Sequence, residues 1–438
     1  MTDRTRFGIG NVTRFYVPLL LQGFSQSVSY PLVGSIVTGG VYGVNALTAF
    51  SQGLMIMFMI GALGGGLVTT GLVFAKTRFG YTTFRRLNAM MMFVLLALQC
   101  LPAISPFDRW IFEGFFNLPP ELAAVSRWTL LSGVVMNAGF FLRNVPMVVL
   151  FNNLESGKAT TATFARIVAT LACSFVFPGR GLVGPGWGLF ALTLGVWIET
   201  LVTWLYARPY VSALPGDAAK TDAAAAPFSS TSMLVEQFRF TLPLALGGFL
   251  LACSPLVIAW FVARSENAQT MLAIHYMTMG VVNPVAFAAL RLQTVSVKFL
   301  PEYPGDRRLL VYSLVAGLVL GLVLLLFSTP LVGYFYFEKF QHLSHEVTKT
   351  ARLAVGIYSV ICVIQAVRAR IEGIAAARKR SDIVMKGQIA YTVSLLIVCS
   401  ILLPLGCSGW AMAVTAIICA PLAVTGVVYA ELSRGRRD

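Results

Sequence analysis

The sequence has 438 residues, of which 57% are hydrophobic and only 12% are charged, and its mean hydropathy is +0.77. Soluble domains carry about a quarter charged residues, so this composition excludes an ordinary soluble protein and favours an integral membrane protein. The net charge of +15 fits the basic loops that orient membrane helices, so we expect no nucleic-acid partner. Seven scattered cysteines without a CxxC pair predict neither a disulfide framework nor a metal site, and no cofactor is expected.

Apolar stretches of about 20 residues recur along the whole chain, and each is long enough to cross a bilayer core of ~30 Å as a helix. They predict an all-α integral membrane protein with twelve transmembrane helices. The predicted helices cover residues 14–37, 45–75, 84–104, 126–151, 157–178, 184–207, 239–263, 268–298, 308–334, 348–376, 384–405 and 408–431.

The basic residues are distributed unevenly over the connections between these helices. The two termini and every second connection hold most of the 33 Lys and Arg residues. Because cytoplasmic loops of membrane proteins are enriched in Lys and Arg, both termini are predicted to be cytoplasmic, in a plasma or inner membrane.

The two halves of the sequence resemble each other. "RFYVPLLLQGF" at 14–24 and "RFTLPLALGGF" at 239–249 share seven of eleven residues, at an offset of 225 (239 minus 14). The same offset relates Arg143 to Arg368, two charges inside predicted helices. Six helices per half predict two parallel repeats around a central cavity. We therefore expect lobes at 1–207 and 238–438, joined by a mobile cytoplasmic linker at 208–237 that is rich in Ala, Pro, Gly and Ser.

Arginines inside the predicted helices are the strongest functional signal. A charge deep in the bilayer costs about 2.5–3.5 kcal/mol, so such residues usually face a cavity or a partner. Glu199 is taken as the sole carboxylate clearly inside a span, which predicts an unpaired cationic cluster that binds an anion. The candidate anion ligands are Arg143, Arg166, Arg291 and Arg368. The competing interpretation, strongest for Arg291 and Arg370, is that the side chains extend to the membrane interface.

Other polar residues and prolines could complete such a cavity. Its possible lining residues are Gln22, Asn137, Asn144, Glu199, His275, Asn283, Gln365 and Arg370, although each amide taken alone is typical of an interhelical hydrogen bond. Helix kinks are predicted at Pro18, Pro31, Pro146, Pro243 and Pro284. No phosphate-binding glycine loop and no set of catalytic residues is recognisable, so the chain is not expected to be an enzyme.

Several segments resemble the progressive ankylosis protein family, within the superfamily of multidrug and toxin extruders (MATE) and oligosaccharide-lipid flippases (MOP). They are "RFYVPLLLQGFSQSV", "GLVFAKTR", "FTLPLALGGFL", "PLVIAWFVAR" and "VRARIEGIAAARK". The resemblance implies a V-shaped, MATE-like transporter with alternating access. It also implies export of a small polyanion such as pyrophosphate, citrate or ATP, with Arg368 as the first residue to carry a binding role.

Three other functions remain open on the sequence. A cation-coupled MATE-type drug exporter resembles this chain, but such exporters place an acidic residue in the first helix, and residues 15–37 contain none. A lipid-linked oligosaccharide flippase would use the same arginines on a lipid pyrophosphate. A membrane scaffold or receptor would need no buried arginines. The expected partners are therefore a small anion and the lipid bilayer; a monomer is expected, and the coupling ion is open.

Overall fold

The computed structural model describes residues 7–216, 230–303, 306–341 and 343–434. All regular structure in these ranges is helical, and none of the described residues lies in a strand. Eleven helical segments are long and apolar enough to cross a membrane. The helix Ile9–Leu32 is not among these eleven, so the predicted count of twelve is consistent with the structure but is not reproduced exactly. The predicted all-α fold is confirmed.

The first half of the chain forms eight helices, and two of the predicted spans are interrupted. The break in the first span is at Val33, and the break in the second covers Leu63 to Gly65. The helices are α1 (Ile9–Leu32), α2 (Gly34–Thr38), α3 (Gly43–Ala62), α4 (Gly66–Phe74), α5 (Arg78–Cys100), α6 (Pro120–Asn152), α7 (Ser156–Gly179) and α8 (Pro185–Ser212).

The second half forms nine helices, with interruptions at Arg291 and at Ser359–Val360. The helices are α9 (Ser230–Val262), α10 (Ala268–Leu290), α11 (Leu292–Lys298), α12 (Arg308–Ser328), α13 (Pro330–Gly333), α14 (His345–Tyr358), α15 (Ile361–Ala377), α16 (Ser381–Leu402) and α17 (Gly409–Arg434). The predicted linker 208–237 overlaps the end of α8 and the start of α9, and its residues 217–229 lie outside the described residues.

The offset of 225 residues recurs in the backbone geometry. Leu154 and Lys379, which precede α7 and α16, both have a φ of +60°. Gly181 and Gly406, which follow the same two helices, have φ angles of +71° and +70°. Left-handed backbone is uncommon outside glycine, so its recurrence at one offset supports a common origin of the two halves.

Two π-helical turns follow the same rule. Arg109–Phe115 and Tyr334–Phe340 are both seven residues long and begin 225 residues apart. The amide of Leu118 donates to the carbonyl of Phe112 at 3.0 Å, and the amide of Leu343 donates to the carbonyl of Phe337 at 2.9 Å. Because π-helices are rare, these turns place the repeat on structural as well as sequence evidence.

The chain divides into two compact units, which we name by their place in the sequence. The central unit is Ser25–Phe249, and the terminal unit is Met1–Phe24 together with Leu250–Asp438. These bounds fall inside α1 and α9, whereas the predicted lobes meet at the connection 208–237. The division into two repeat lobes therefore stays a prediction.

Glycines in the segment "GALGGGLVTTG" at 61–71 let helices of the central unit approach closely, as the sequence indicates. A Cβ atom at Gly64 would lie 2.5 Å from the Phe141 ring, and one at Gly71 would lie 2.6 Å from Val148. Both neighbours belong to α6, so these glycines seat the α3–α4 segment against the helix that carries Arg143.

Candidate functional site

Three helices of the central unit converge on a buried carboxylate. Glu199 of α8 is fully buried, and its Oε2 atom lies 2.7 Å from Nη1 of Arg143 on α6. Nη1 of Arg166 on α7 lies 3.1 Å from the same oxygen. The other oxygen, Oε1, accepts a hydrogen bond of 2.5 Å from the Thr163 hydroxyl, also on α7. We call Arg143, Thr163, Arg166 and Glu199 the Glu199 cluster.

The Glu199 cluster carries a net positive charge, because two guanidinium groups share one carboxylate. Their side chains are 9% and 4% exposed, so neither Arg143 nor Arg166 extends to a membrane interface. Among the described residues, the Nε atoms of both arginines and Nη2 of Arg166 have no hydrogen-bond partner. A buried donor without a partner is costly, so these atoms mark a site that can accept a further acceptor group.

A glycine on α8 makes room for the Glu199 cluster. A Cβ atom at Gly195 would lie 2.6 Å from Oγ1 of Thr170 and 3.1 Å from the carbonyl oxygen of Arg166. Gly195 is one helical turn before Glu199, so it lets α7 approach α8 closely enough for Arg166 to reach the carboxylate.

The terminal unit holds a second buried ion pair. Nε of Arg368 donates to Oε1 of Glu372 at 2.9 Å, one turn further along α15. Nη1 of Arg368 donates to Gln365 at 3.2 Å, and Nη2 donates to Gln388 of α16 at 2.8 Å. Gln388 in turn donates to Glu372 at 2.9 Å. We call these four residues, with Tyr391, the Glu372 cluster; its formal charge is zero.

The two clusters occupy equivalent positions of the repeats. At the offset of 225, Thr163 corresponds to Gln388, and both donate a hydrogen bond to the buried carboxylate of their cluster. Arg166 corresponds to Tyr391, whose ring lies 5.1 Å from the Arg368 guanidinium carbon. The second repeat therefore has an aromatic ring where the first has a second cation.

The prediction of an unpaired cationic cluster is wrong. Arg143 and Arg166 pair with Glu199, and Arg368 pairs with Glu372. Arg368 is only 1% exposed, so it does not extend to a membrane interface. The error in the prediction was to treat Glu199 as too isolated to serve two arginines and to overlook Glu372.

The remaining candidate residues are scattered over both units. Half-buried Arg291 lies between α10 and α11, and Arg370 is half-buried on α15. Asn283 is exposed, whereas Gln22, Asn144 and His275 are buried. Asn137 donates 2.6 Å to Gln99, which fits an interhelical hydrogen bond. Pro146 and Pro284 lie inside the continuous helices α6 and α10, and Pro18, Pro31 and Pro243 also lie within helices, so the kinks stay a prediction.

Sequence reasoning missed Glu372, Thr163 and Gln388. The signal for Glu372 was present, because a carboxylate four residues after Arg368 lies on the same helical face. Thr163 and Gln388 carried no signal of their own until the repeat offset joined them.

Comparison with solved structures identifies the fold. The chain superimposes on a eukaryotic MATE transporter with a TM-score of 0.73 and 13% identity, covering 96% of this chain and 94% of that one. A MATE mutant structure gives a TM-score of 0.76 at 15% identity, with 100% and 99% coverage. A MOP superfamily transporter from Pyrococcus furiosus, whose title describes a binding pocket of reverse polarity, gives 0.70 at 15% identity, with 98% and 97% coverage.

The sequence itself matches no protein-family model and no curated protein. The structural matches support the MATE-like fold of the MOP superfamily and an integral membrane protein. They do not support the narrower resemblance to the progressive ankylosis family.

Proposed function

We propose that the protein is a transporter that moves a small polyanion across the membrane by alternating access. Its fold, shared with MATE and MOP transporters, supports a transport function. The charge of the Glu199 cluster supports the choice of an anion. Candidate substrates are pyrophosphate, citrate and a nucleoside triphosphate such as ATP, which the sequence resemblance implies.

The observation that carries this proposal is the ratio of two buried guanidinium groups to one carboxylate. A net positive charge in a low-dielectric site attracts anions and repels organic cations. The unpartnered Nε and Nη2 atoms of the cluster provide donors for phosphate or carboxylate oxygens. Arginine suits this role, because its planar group can bind such oxygens in a bidentate way.

Arg143 and Arg166 are the proposed first contacts of the anion. Half-buried Arg291 and Arg370 add positive charge in the terminal unit and are proposed as later contacts. Arg368 has partners on all three of its nitrogen atoms, so a direct role in binding would require the Glu372 cluster to open.

Substrate entry requires a conformational change. Glu199 is fully buried, and Arg143 and Arg166 are less than a tenth exposed. A dissolved anion therefore cannot reach these guanidinium groups in this conformation. Alternating access supplies the opening, since it exposes a buried site to one side of the membrane at a time.

The test is uptake into proteoliposomes of radiolabelled pyrophosphate, citrate and ATP, each with wild type and Arg143→Gln. We expect uptake of at least one anion by wild type and its loss in the variant. Arg143→Gln leaves Arg166 paired with Glu199, so the cluster becomes neutral without stranding a charge.

Two rival functions give different results in the same system. Transport of an organic cation, with no anion transported, would identify a MATE-type exporter and overturn the proposal. Translocation of a lipid-linked pyrophosphate alone would identify a flippase, which would use the same arginines.

A further inference from the structure

Glu199 is held as a bound anion would be held. Its oxygens accept hydrogen bonds from two other helices, through Arg143 on α6 and through Arg166 and Thr163 on α7. Glu372 differs, because its guanidinium partner lies on its own helix. Separation of α8 from α6 and α7 would withdraw the Glu199 carboxylate from both cations.

A polyanion would compete with Glu199 for the same donors. Nη1 of Arg143 and Nη1 of Arg166 both point to one carboxylate oxygen, 2.7 and 3.1 Å away. The Nε atoms of these arginines, which have no partner in the described structure, add to what a larger anion could engage. A phosphate or tricarboxylate group therefore gains more hydrogen bonds here than the single carboxylate makes.

A displaced Glu199 would have few ways to remain charged. The groups that face it are the two arginines, Thr163 and the Tyr30 phenol, which lies within electrostatic reach of the cluster. The helices α2 and α3 also pack on α8 and contain no titratable side chain. An isolated carboxylate in an apolar interior takes up a proton rather than keep its charge.

From this geometry we infer that Glu199 is an internal counter-anion that the substrate displaces, with uptake of one proton. The anion takes the guanidinium groups of Arg143 and Arg166, and the released carboxylate binds a proton from the side on which the substrate loads. No other bond changes. Each anion is then accompanied by one proton through the occupied state. This inference rests on the proposed function and adds its coupling ion.

The experiment measures proton uptake when pyrophosphate, citrate or ATP binds to purified protein in a weakly buffered detergent solution. Wild type is compared with Glu199→Gln, so that protons exchanged by the anion itself cancel in the difference. We expect wild type to take up close to one proton more per bound anion. We also expect Glu199→Gln to bind the anion roughly tenfold more tightly or better, because the internal competitor is gone.

Equal proton uptake by the two proteins, with anion binding intact, would overturn the inference and leave the proposed function standing. Absence of anion binding by both proteins would remove the proposed function and this inference with it.

A second variant covers the case in which Glu199→Gln does not fold. Glu199→Gln combined with Arg166→Gln has one guanidinium and no carboxylate, so its cluster has the same net charge as wild type. The expected difference of close to one proton per anion is the same for this variant, and an equal uptake contradicts the inference again.

Discussion

The two repeats neutralise equivalent buried arginines in different ways. Arg143 shares the carboxylate of Glu199, on another helix, with a second arginine. Arg368 has the carboxylate of Glu372 one turn along its own helix, and two glutamines engage its other nitrogen atoms. Both arginines are buried, so burial does not distinguish them. The number of donors left without a partner does.

This difference indicates a division of labour between the repeats. A closed, neutral set of hydrogen bonds within neighbouring helices mainly stabilises the fold. A set with excess charge and unpartnered donors is available to a ligand. We therefore expect substitutions in the Glu372 cluster to affect stability, and substitutions in the Glu199 cluster to affect both stability and ligand response.

The largest effect is expected for Glu199→Gln. The change leaves two buried guanidinium groups without a counter-ion, which should destabilise the protein by about 3–5 kcal/mol. Thermal unfolding in detergent measures the change, with Arg143→Gln as the control that leaves a neutral pair. A melting temperature for Glu199→Gln at or above that of Arg143→Gln would show that Glu199 does not neutralise these arginines.

A similar loss is expected for Arg368→Gln, because it leaves the Glu372 carboxylate buried without a cation. Replacing both partners, by Arg368→Met with Glu372→Met, should recover most of the about 3–5 kcal/mol, since a neutral apolar pair needs no counter-ion. Unfolding and anion transport are measured on the two proteins. If the double variant folds well but does not transport, Arg368 has a role in binding and the proposed division of labour is wrong.

A smaller loss is expected for Gly195→Ala. The new methyl group would meet Thr170 and the backbone of Arg166, and such overpacking costs about 1–3 kcal/mol. Anion binding should weaken as well, because Arg166 moves away from Glu199. Gly157→Ala on the same helix as Arg166 is the matched control, since its methyl group meets nothing within 4 Å. Equal stability and binding in the two variants would contradict the close α7–α8 packing.

The smallest effect is expected for an ion pair outside the membrane spans, which calibrates the comparison. Hydrogen bonds from Arg308 lower the pKa of Asp306 from 3.8 to about 2. The pair should therefore add stability above about pH 4, and that contribution should disappear as the pH falls through about 2. Arg308 is 41% exposed, so Asp306→Asn should cost less than about 1 kcal/mol.

Unfolding of wild type and Asp306→Asn over this pH range measures the contribution. A difference that grows as the pH falls would have the wrong sign for a carboxylate with a lowered pKa. A loss as large as that of Glu199→Gln would show that burial is not what makes the two clusters sensitive.

Much of the fold could be predicted from the sequence, because apolar length and the 225-residue offset are local patterns. The same offset led to Arg143 and Arg368 and later joined Thr163 to Gln388. The pairing of Glu199 could not be predicted, since it depends on how three helices meet around Gly195. The breaks at Leu63 to Gly65 and at Arg291 were also missed, because long apolar runs give no sign of where a helix is interrupted.

The most direct test of the division of labour is thermal stabilisation by pyrophosphate, citrate and ATP. A ligand that binds only the folded protein raises its melting temperature. We predict that at least one anion stabilises wild type and the double variant Arg368→Met with Glu372→Met, and that this stabilisation is lost in Arg143→Gln. Stabilisation that survives in Arg143→Gln and disappears in the double variant would contradict the account and assign the anion to the Glu372 cluster.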